Sequence, residues 1–376
     1  MLSQNVQSLS ELRVKFFTTL GVVMLQSITP NRVGFFFYRL ATIWKSFQAL
    51  RTLPQDKIDA FVDSYKVYDY DWVNEEELIR EMGQDYYAQV QQKLFNWYSV
   101  LNHLCAMGQV EKMYIPPAMD LSVNIIENQN LFERKMAKDL GIGKGDKVLD
   151  IGCGRGRIAS HVATVTKAHV TGINIDTTQL ESARRFIKSH NLENQLQFIR
   201  HDLNTLPYPF PDNHFDGVYQ VQVFSLSKDL LKLFQEIHRM LKPGAKLACL
   251  DWVSLDAYDA SNPYHVNLMR RIKPLIGAIG TPSVKTYVEL LRKAGFEILI
   301  NENASIDGLQ APLIDKADRF YTKLTNLVYR LVNWKVLPPH FRILFDRFTQ
   351  DGQAFVEADR MRLVTTSHYI LAQKKG

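Results

Sequence analysis

The chain has 376 residues, 46% of them apolar and 11% aromatic, enough for one large domain or a core domain with an appended part. Its net charge of +6 admits a nucleic acid, an anionic membrane surface or neither. The three cysteines, Cys105, Cys153 and Cys249, show no CxxC or CxxH spacing, which argues against a zinc site or a disulfide framework and points to a reducing compartment.

Residues 1–50 carry one acidic residue, Glu11, against five basic ones: Arg13, Lys15, Arg32, Arg39 and Lys45. Residues 16–29 form an uncharged, largely apolar run, which Pro30, Asn31 and Arg32 break before a second run over 33–44. Neither run reaches the roughly 20 apolar residues that span a bilayer. No small-residue cleavage site follows a short apolar core, so cleavage and secretion are not expected. The expectation is a membrane-surface anchor, with aromatics buried and Lys/Arg at the headgroups. The alternative is a helical hairpin covering an apolar patch of the same protein.

Residues 51–124 read as a helical N-terminal region, with Tyr86, Val90, Leu94, Trp97 and Leu101 at helical spacing and an acidic stretch from Asp69 to Glu81. Pro116-Pro117 marks a turn, and Ile125–Lys138 is expected as a helix. From Lys147 short apolar strands alternate with helices. Strands are expected at 148–151, 169–173, 196–199, 215–223, 246–252 and 296–300, and helices at 158–166, 179–189, 230–241 and 284–294. Repeated units of this kind imply an α/β fold with a mostly parallel sheet covered on both faces. A last strand at 368–372 follows a long helical insertion with an amphipathic run at Phe320, Leu324, Leu327 and Leu331. The expected division is a segment over 1–50, a helical region over 51–124, a ligand-binding core over 125–305 and a C-terminal region over 306–376.

The stretch Val148 to Arg157 reads as a strand running into Gly152, Gly154 and Gly156 and then a helix. Such a turn lets backbone approach a ligand and aims a helix N-terminus at it. In an open α/β sheet the ligand sits beyond the strands' carboxyl ends. Asp150 lies at the base of the turn. Asn174 and Asp176, about twenty residues on, would meet ribose hydroxyls, with Gln179 beside them. Asp202, next to Leu203, could accept from an adenine amino group. A dinucleotide dehydrogenase begins the same way, and each acidic residue could instead cap a helix or shape a turn.

Residues further downstream separate the two. The stretch Phe210-Pro211-Asp212-Asn213-His214-Phe215-Asp216 and the later Met240-Leu241-Lys242-Pro243-Gly244, together with the glycine turn, resemble a class I methyltransferase using S-adenosylmethionine. The resemblance implies a Rossmann-like seven-stranded sheet and a sulfonium cofactor, whose chemistry needs no metal.

Beyond them come Asp251-Trp252, Asp256, Tyr258-Asp259, Asn262, His265 and Ala294-Gly295-Phe296. The C-terminal stretch has Val356-Glu357, Arg360, Arg362, Thr365-Thr366 and Tyr369-Ile370-Leu371-Ala372. Over roughly residues 125–376 these resemble the sterol 24-C-methyltransferase family. The resemblance implies methyl transfer to the side-chain double bond of a sterol or related triterpenoid. Attack by an alkene leaves a carbocation, which aromatic faces stabilise and a carboxylate or tyrosine could finally deprotonate. The candidate catalytic residues are Asp251, Trp252, Tyr219 and Glu133, with Tyr258 beside them; core packing for Trp252 and Tyr219 and a surface helix for Glu133 are the alternatives. The implied partners are a lipophilic acceptor and a membrane surface, with homo-oligomerisation allowed and no nucleic acid. The implied location is intracellular and membrane-associated, at the endoplasmic reticulum.

The chain also departs from the family. Residues 105–111 stand where the family has a YEWGWG segment, Gln222 and Leu226 where it has a glutamate and a histidine, and Arg157 where it has a small residue. The departures keep open a methyltransferase for a polar headgroup or a small O/N nucleophile, and a cofactor-binding subunit that has lost catalysis.

Overall fold

The computed structural model describes residues 43–68, 75–107, 111–348 and 351–375. The first apolar run, the second up to residue 42, and with them residues 1–42 of the expected 1–50 anchor segment lie outside the described residues, as do residues 108–110 of the stretch that departs from the family.

The first described helices are α1 (43–51), α2 (Gln55–Ser64), α3 (Glu75–Met82) and α4 (Tyr86–Met107). A proline-bearing segment then leads to α5 (Ile125–Leu140), which starts where the Asn124 side chain accepts from Glu127 N and ends at left-handed Gly141. Both are favourable caps, since each satisfies backbone groups that the helix leaves orphaned. The alternating part runs β1 (Lys147–Ile151), α6 (Arg157–Thr166), β2 (His169–Asn174), α7 (Thr177–Ser189), β3 (Leu196–Arg200), β4 (Phe215–Val221), α8 (Leu230–Met240) and β5 (Leu241–Ser254). It continues through α9 (Pro263–Ile276), α10 (Val284–Lys293) and β6 (Phe296–Asn303) to α11 (Ala311–Asn333), α12 (His340–Phe348), α13 (Gly352–Arg360) and β7 (Val364–Lys374).

The strands form a seven-stranded sheet in the order β3-β2-β1-β4-β5-β7-β6. Pairings from β3 to β5 are parallel, and β7 runs antiparallel to both neighbours. The strand order reverses between β1 and β4, so the carboxyl ends of β1 and β4 flank the crevice where such sheets bind ligands. Parallel strands are covered on both faces, which is why they read as apolar runs. On one face Val148, Phe132, Val162, Leu180 and Phe198 form a core with α5, α6 and α7. On the other, Leu149, Ile151, Phe234, Ile237 and Leu291 form a core with α8 and α10.

A third cluster joins the two helical regions. Leu50, Phe61, Val90, Trp97 and Leu101 pack with Val328, Phe341 and Leu344 of α11 and α12. A fourth seats Trp252 among α9 and α13 through Leu268, Ile272 and Phe355.

Several strand ends differ from the sequence expectation, among them the start of β5 at Leu241 and the end of β6 at Asn303, and for two others the physical reason is visible. β4 stops at Val221 because Gln222 takes φ +55, which leaves the extended region. β7 starts at Val364 rather than 368, since Thr365, Thr366 and Ser367 are fully buried despite their polarity. Their hydroxyls bond to one another, to Asn303 and Ser305, and to Gln310. A buried polar strand with satisfied partners carries no hydropathy signal.

Candidate active site

The glycine turn leaves β1 with three left-handed residues, Gly152 at φ +75, Gly154 at +52 and Gly156 at +71. At two of them space is decisive as well. A Cβ on Gly152 would lie 2.4 Å from Val223 Cγ2, and one on Gly156 would lie 2.5 Å from Phe198 Cζ. The first packs the turn against the segment after β4, and the second packs it onto β3 and α7.

The turn opens on a cleft of about 680 Å³. Seven of the expected cofactor residues line it: Gly152, Gly154, Asn174, Asp176, Gln179, Asp202 and Leu203. Asn174 Nδ2 donates to Gln179 Oε1 at 2.9 Å. Asp176 caps α7, accepting from Thr178 N at 2.8 Å and Gln179 N at 3.1 Å. Asp202 Oδ1 accepts from Asn204 N at 3.0 Å, closing the turn after β3. The cap and the turn bond leave Asp176 and Asp202 at the cleft.

Asp150 and Gly156 lie behind this wall. Asp150 is buried and accepts from Tyr219 OH at 3.0 Å, and burial pushes its carboxyl up to about 7.

The roof of the cleft comes from α4, which the sequence pattern gave as a helix but did not assign to the site. Gln91 Nε2 donates to Asp202 Oδ2 at 2.6 Å. Asn102 Oδ1 accepts from Gln179 Nε2 at 3.1 Å, and its Nδ2 lies 3.5 Å from Asp176 Oδ2. Gln91 and Asn102 are three helical turns apart and so share one face. Leu94, Phe95 and Tyr98 line the cleft between them, with Val223, Leu226 and Ile279 completing the apolar wall. The signal was present as a polar pair flanking an apolar stripe, but its partners are far away in sequence.

The four residues expected to act on the acceptor are not on this wall. Asp251 Oδ2 accepts from Gln220 Nε2, Phe224 N and Tyr287 OH at 3.1, 2.9 and 3.0 Å, while Oδ1 accepts from Trp252 N at 2.8 Å. It is a fully engaged buried carboxylate, and burial raises it to about 6. Trp252 is buried and donates its indole N–H to Gly280 O at 3.0 Å. Tyr219 is buried with its hydroxyl on Asp150, and Tyr258 packs beside the Trp252 cluster. Glu133 is fully buried, which removes the surface-helix alternative. It accepts from Lys112 Nζ at 2.6 Å and Tyr114 OH at 2.9 Å and meets His161 Nδ1. Lys112 and Tyr114 do line the cleft.

The residues that break the family pattern have structural partners. Gln222 Oε1 accepts from Ile115 N at 3.2 Å, and its Nε2 donates to Ile115 O at 2.8 Å and Thr366 O at 2.9 Å. Arg157 is buried at the edge of the turn, where its Nη1 donates to Arg155 O at 2.9 Å. Its Nε donates to Glu111 Oε2 at 2.7 Å, and its guanidinium stacks 3.7 Å above the Phe186 ring.

Comparison with known proteins fits this geometry. Residues 149–249 match the methyltransferase domain family. Over 201 residues, 54% of the chain, it is 34% identical to the sterol 24-C-methyltransferase of Aspergillus fumigatus and matches 50% of that protein. Over 259 residues, 64% of the chain, it is 28% identical to the cycloartenol-C-24-methyltransferase of Arabidopsis thaliana and matches 75% of it. The match thus spans about half the length of the Aspergillus relative. In fold, the [4+2]-cyclase SpnF is similar over 75% of this chain and 95% of its own, with a TM-score of 0.56 at 20% identity. Residues 149–249 thus carry a methyltransferase domain on a class I methyltransferase fold, and part of the chain is similar to sterol 24-C-methyltransferases.

Proposed function

We propose that the chain transfers the methyl group of S-adenosylmethionine to the side-chain double bond of a sterol or related triterpenoid. The observation that carries this reading is the division of the cleft. Polar groups gather at the ends of β2 and β3, and an apolar, partly aromatic wall of Leu94, Phe95, Tyr98, Leu226 and Ile279 faces them. An alkene acceptor offers no proton and no charge to a site, so it asks for such a wall rather than for a base poised on a nucleophile.

The residues present fit the cofactor. Asn174 would bond the ribose hydroxyls, Asp202 the adenine amino group, and the backbone at Gly152 and Gly154 would approach the methionine part. The cofactor, when bound, supplies a methyl group already activated on a sulfonium. The protein's work is then alignment, exclusion of water, and removal of the proton that the resulting carbocation sheds as a double bond re-forms. Tyr98 offers a ring face for positive charge developing on the acceptor. Asp150 and Tyr219 brace the glycine turn from beneath. Asp251 accepts from Phe224 N and thereby holds the segment carrying Val223 and Leu226, while Trp252 fixes Gly280 next to Ile279. Glu133 holds Lys112 and Tyr114 at the cleft edge. Tyr219, Asp251, Trp252 and Glu133 are thus positioning residues.

A lipophilic acceptor implies work at a membrane surface, with the endoplasmic reticulum as the expected location. No described helix is long and apolar enough to cross a membrane.

Incubation of the protein with methyl-labelled S-adenosylmethionine and a total lipid extract tests the reading. Label in the nonsaponifiable fraction is expected. Label confined to phospholipid or to an aqueous product would replace the acceptor class, and cofactor binding without transfer to any fraction would make the chain a binding subunit.

A further inference from the structure

Helix α11 buries one side and displays another. Inward, Val328, Leu324 and Leu331 pack on the cluster that contains Leu50 and Phe341. Outward, Phe320, Leu327 and Trp334 are 60, 37 and 68% exposed. These three are seven residues apart, two helical turns, and so stand in one line. Lys316 stands just before them and Lys323 and Arg330 between them, all three exposed. The outward line therefore reads Lys316, Phe320, Lys323, Leu327, Arg330, Trp334, with alternating spacings of four and three and no acidic residue in it. Asp315 and Asp318 lie off this line on the helix wheel; Asp315 pairs with Arg319, and Asp318 accepts from Gln353 Nε2 at 2.7 Å.

We propose that this face of α11 docks on an anionic lipid surface. Large apolar side chains alternating with cations in one stripe suit a bilayer interface, where the rings enter the acyl boundary and the cations meet lipid phosphates. A symmetric second copy would bring these cations against their own kind, which disfavours self-association. The chain also enters the described structure on the same cluster: Phe47 of α1 packs on Phe341, with ring centroids 5.9 Å apart, and Trp44 beside it is 47% exposed. The proposal rests on the reading of a lipophilic acceptor and adds where the membrane is met.

The test uses the full chain carrying Leu327→Cys, labelled with an environment-sensitive fluorophore; Cys105, Cys153 and Cys249 are buried and so shielded from the reagent. Vesicles of phosphatidylcholine with phosphatidylserine should shift the emission to the blue, and vesicles of phosphatidylcholine alone should shift it far less. Replacing Lys316, Lys323 and Arg330 together by Gln should weaken partitioning onto the anionic vesicles about a hundred-fold at low salt, with cofactor affinity and melting temperature unchanged. No emission shift on vesicles that the protein nevertheless binds would overturn the proposal, since another part of the chain would then make the contact. A shift that follows protein concentration without vesicles would overturn it in favour of a second copy, and one produced by an acidic protein but not by vesicles would do so in favour of a protein partner. Docking without label in the nonsaponifiable fraction would refute the acceptor and leave the docking face standing.

Discussion

Replacing Gly152 by Ala perturbs the turn at the point where strand β1 meets the cleft. Two costs add. A residue with a Cβ at φ +75 pays roughly 1–2 kcal/mol for the left-handed conformation. The new methyl would also lie 2.4 Å from Val223 Cγ2 and 2.7 Å from Val223 Cγ1. Valine is stiff at χ1, and Val223 is held from behind by its backbone N–H donating to Gln220 Oε1 at 2.9 Å. Relief therefore requires the turn or the segment after β4 to move, at about 1–3 kcal/mol for overpacking. The sum is roughly 2–5 kcal/mol of stability, and the movement displaces a cleft wall. Gly145→Ala is the control: its φ is +88, a Cβ there meets nothing within 4 Å, and it is away from the cleft. Calorimetric titration with S-adenosylhomocysteine and thermal melting should show Gly152→Ala melting below Gly145→Ala and binding at least about ten-fold more weakly. Equal binding by wild type and Gly152→Ala, with both glycine variants melting alike, would refute the packing derived for the turn.

Three more outcomes rest on the same geometry. Asp202→Ala should weaken S-adenosylhomocysteine binding, and Gln91→Leu should do so by about 1–2 kcal/mol through loss of the amide that holds the carboxylate; an effect of the first without the second would leave α4 outside the site. Gln222→Glu should destabilise the fold by about 2–3 kcal/mol, because a carboxylate would face two carbonyl oxygens that now accept from the amide, and urea denaturation measures it. For Asp150, burial holds the folded value near 7 against 3.8 for the free group, so its contribution is full below 3.8 and is lost as pH rises through 7. Wild type should therefore gain on Asp150→Asn by roughly 3 kcal/mol between pH 8 and pH 5, and a pH-independent difference in melting would contradict that environment.

The parallel strands could be read in the sequence because burial on both faces leaves unbroken apolar runs, as in Val148-Leu149 and Leu247-Ala248. That Asn174, Asp176 and Asp202 line the cleft was legible for a related reason: each follows such a run at the carboxyl end where the crevice must lie. The acceptor side was not. Asp251-Trp252 has the look of reactive chemistry at a strand end, yet Asp251 is spent on Tyr287 and Phe224, contacts 36 and 27 residues away. The roof escaped similarly, since Gln91 reaches Asp202 across 111 residues. Helix α9 was missed altogether, although Asn262 caps it and Pro263 opens it. Its surrounding polar residues hide the apolar face formed by Leu268, Met269 and Ile272.

Methylation at carbon, rather than at oxygen or nitrogen, is what distinguishes the proposed activity, and the product itself reports it. Incubation with S-adenosylmethionine bearing a trideuterated methyl group, followed by mass spectrometry and NMR of the purified lipid, reveals both the acceptor and the atom methylated. The expected product carries the deuterated methyl on a side-chain carbon of a sterol or triterpenoid, stable to hydrolysis. A deuterated methyl on oxygen or nitrogen of a polar lipid or small molecule would contradict it.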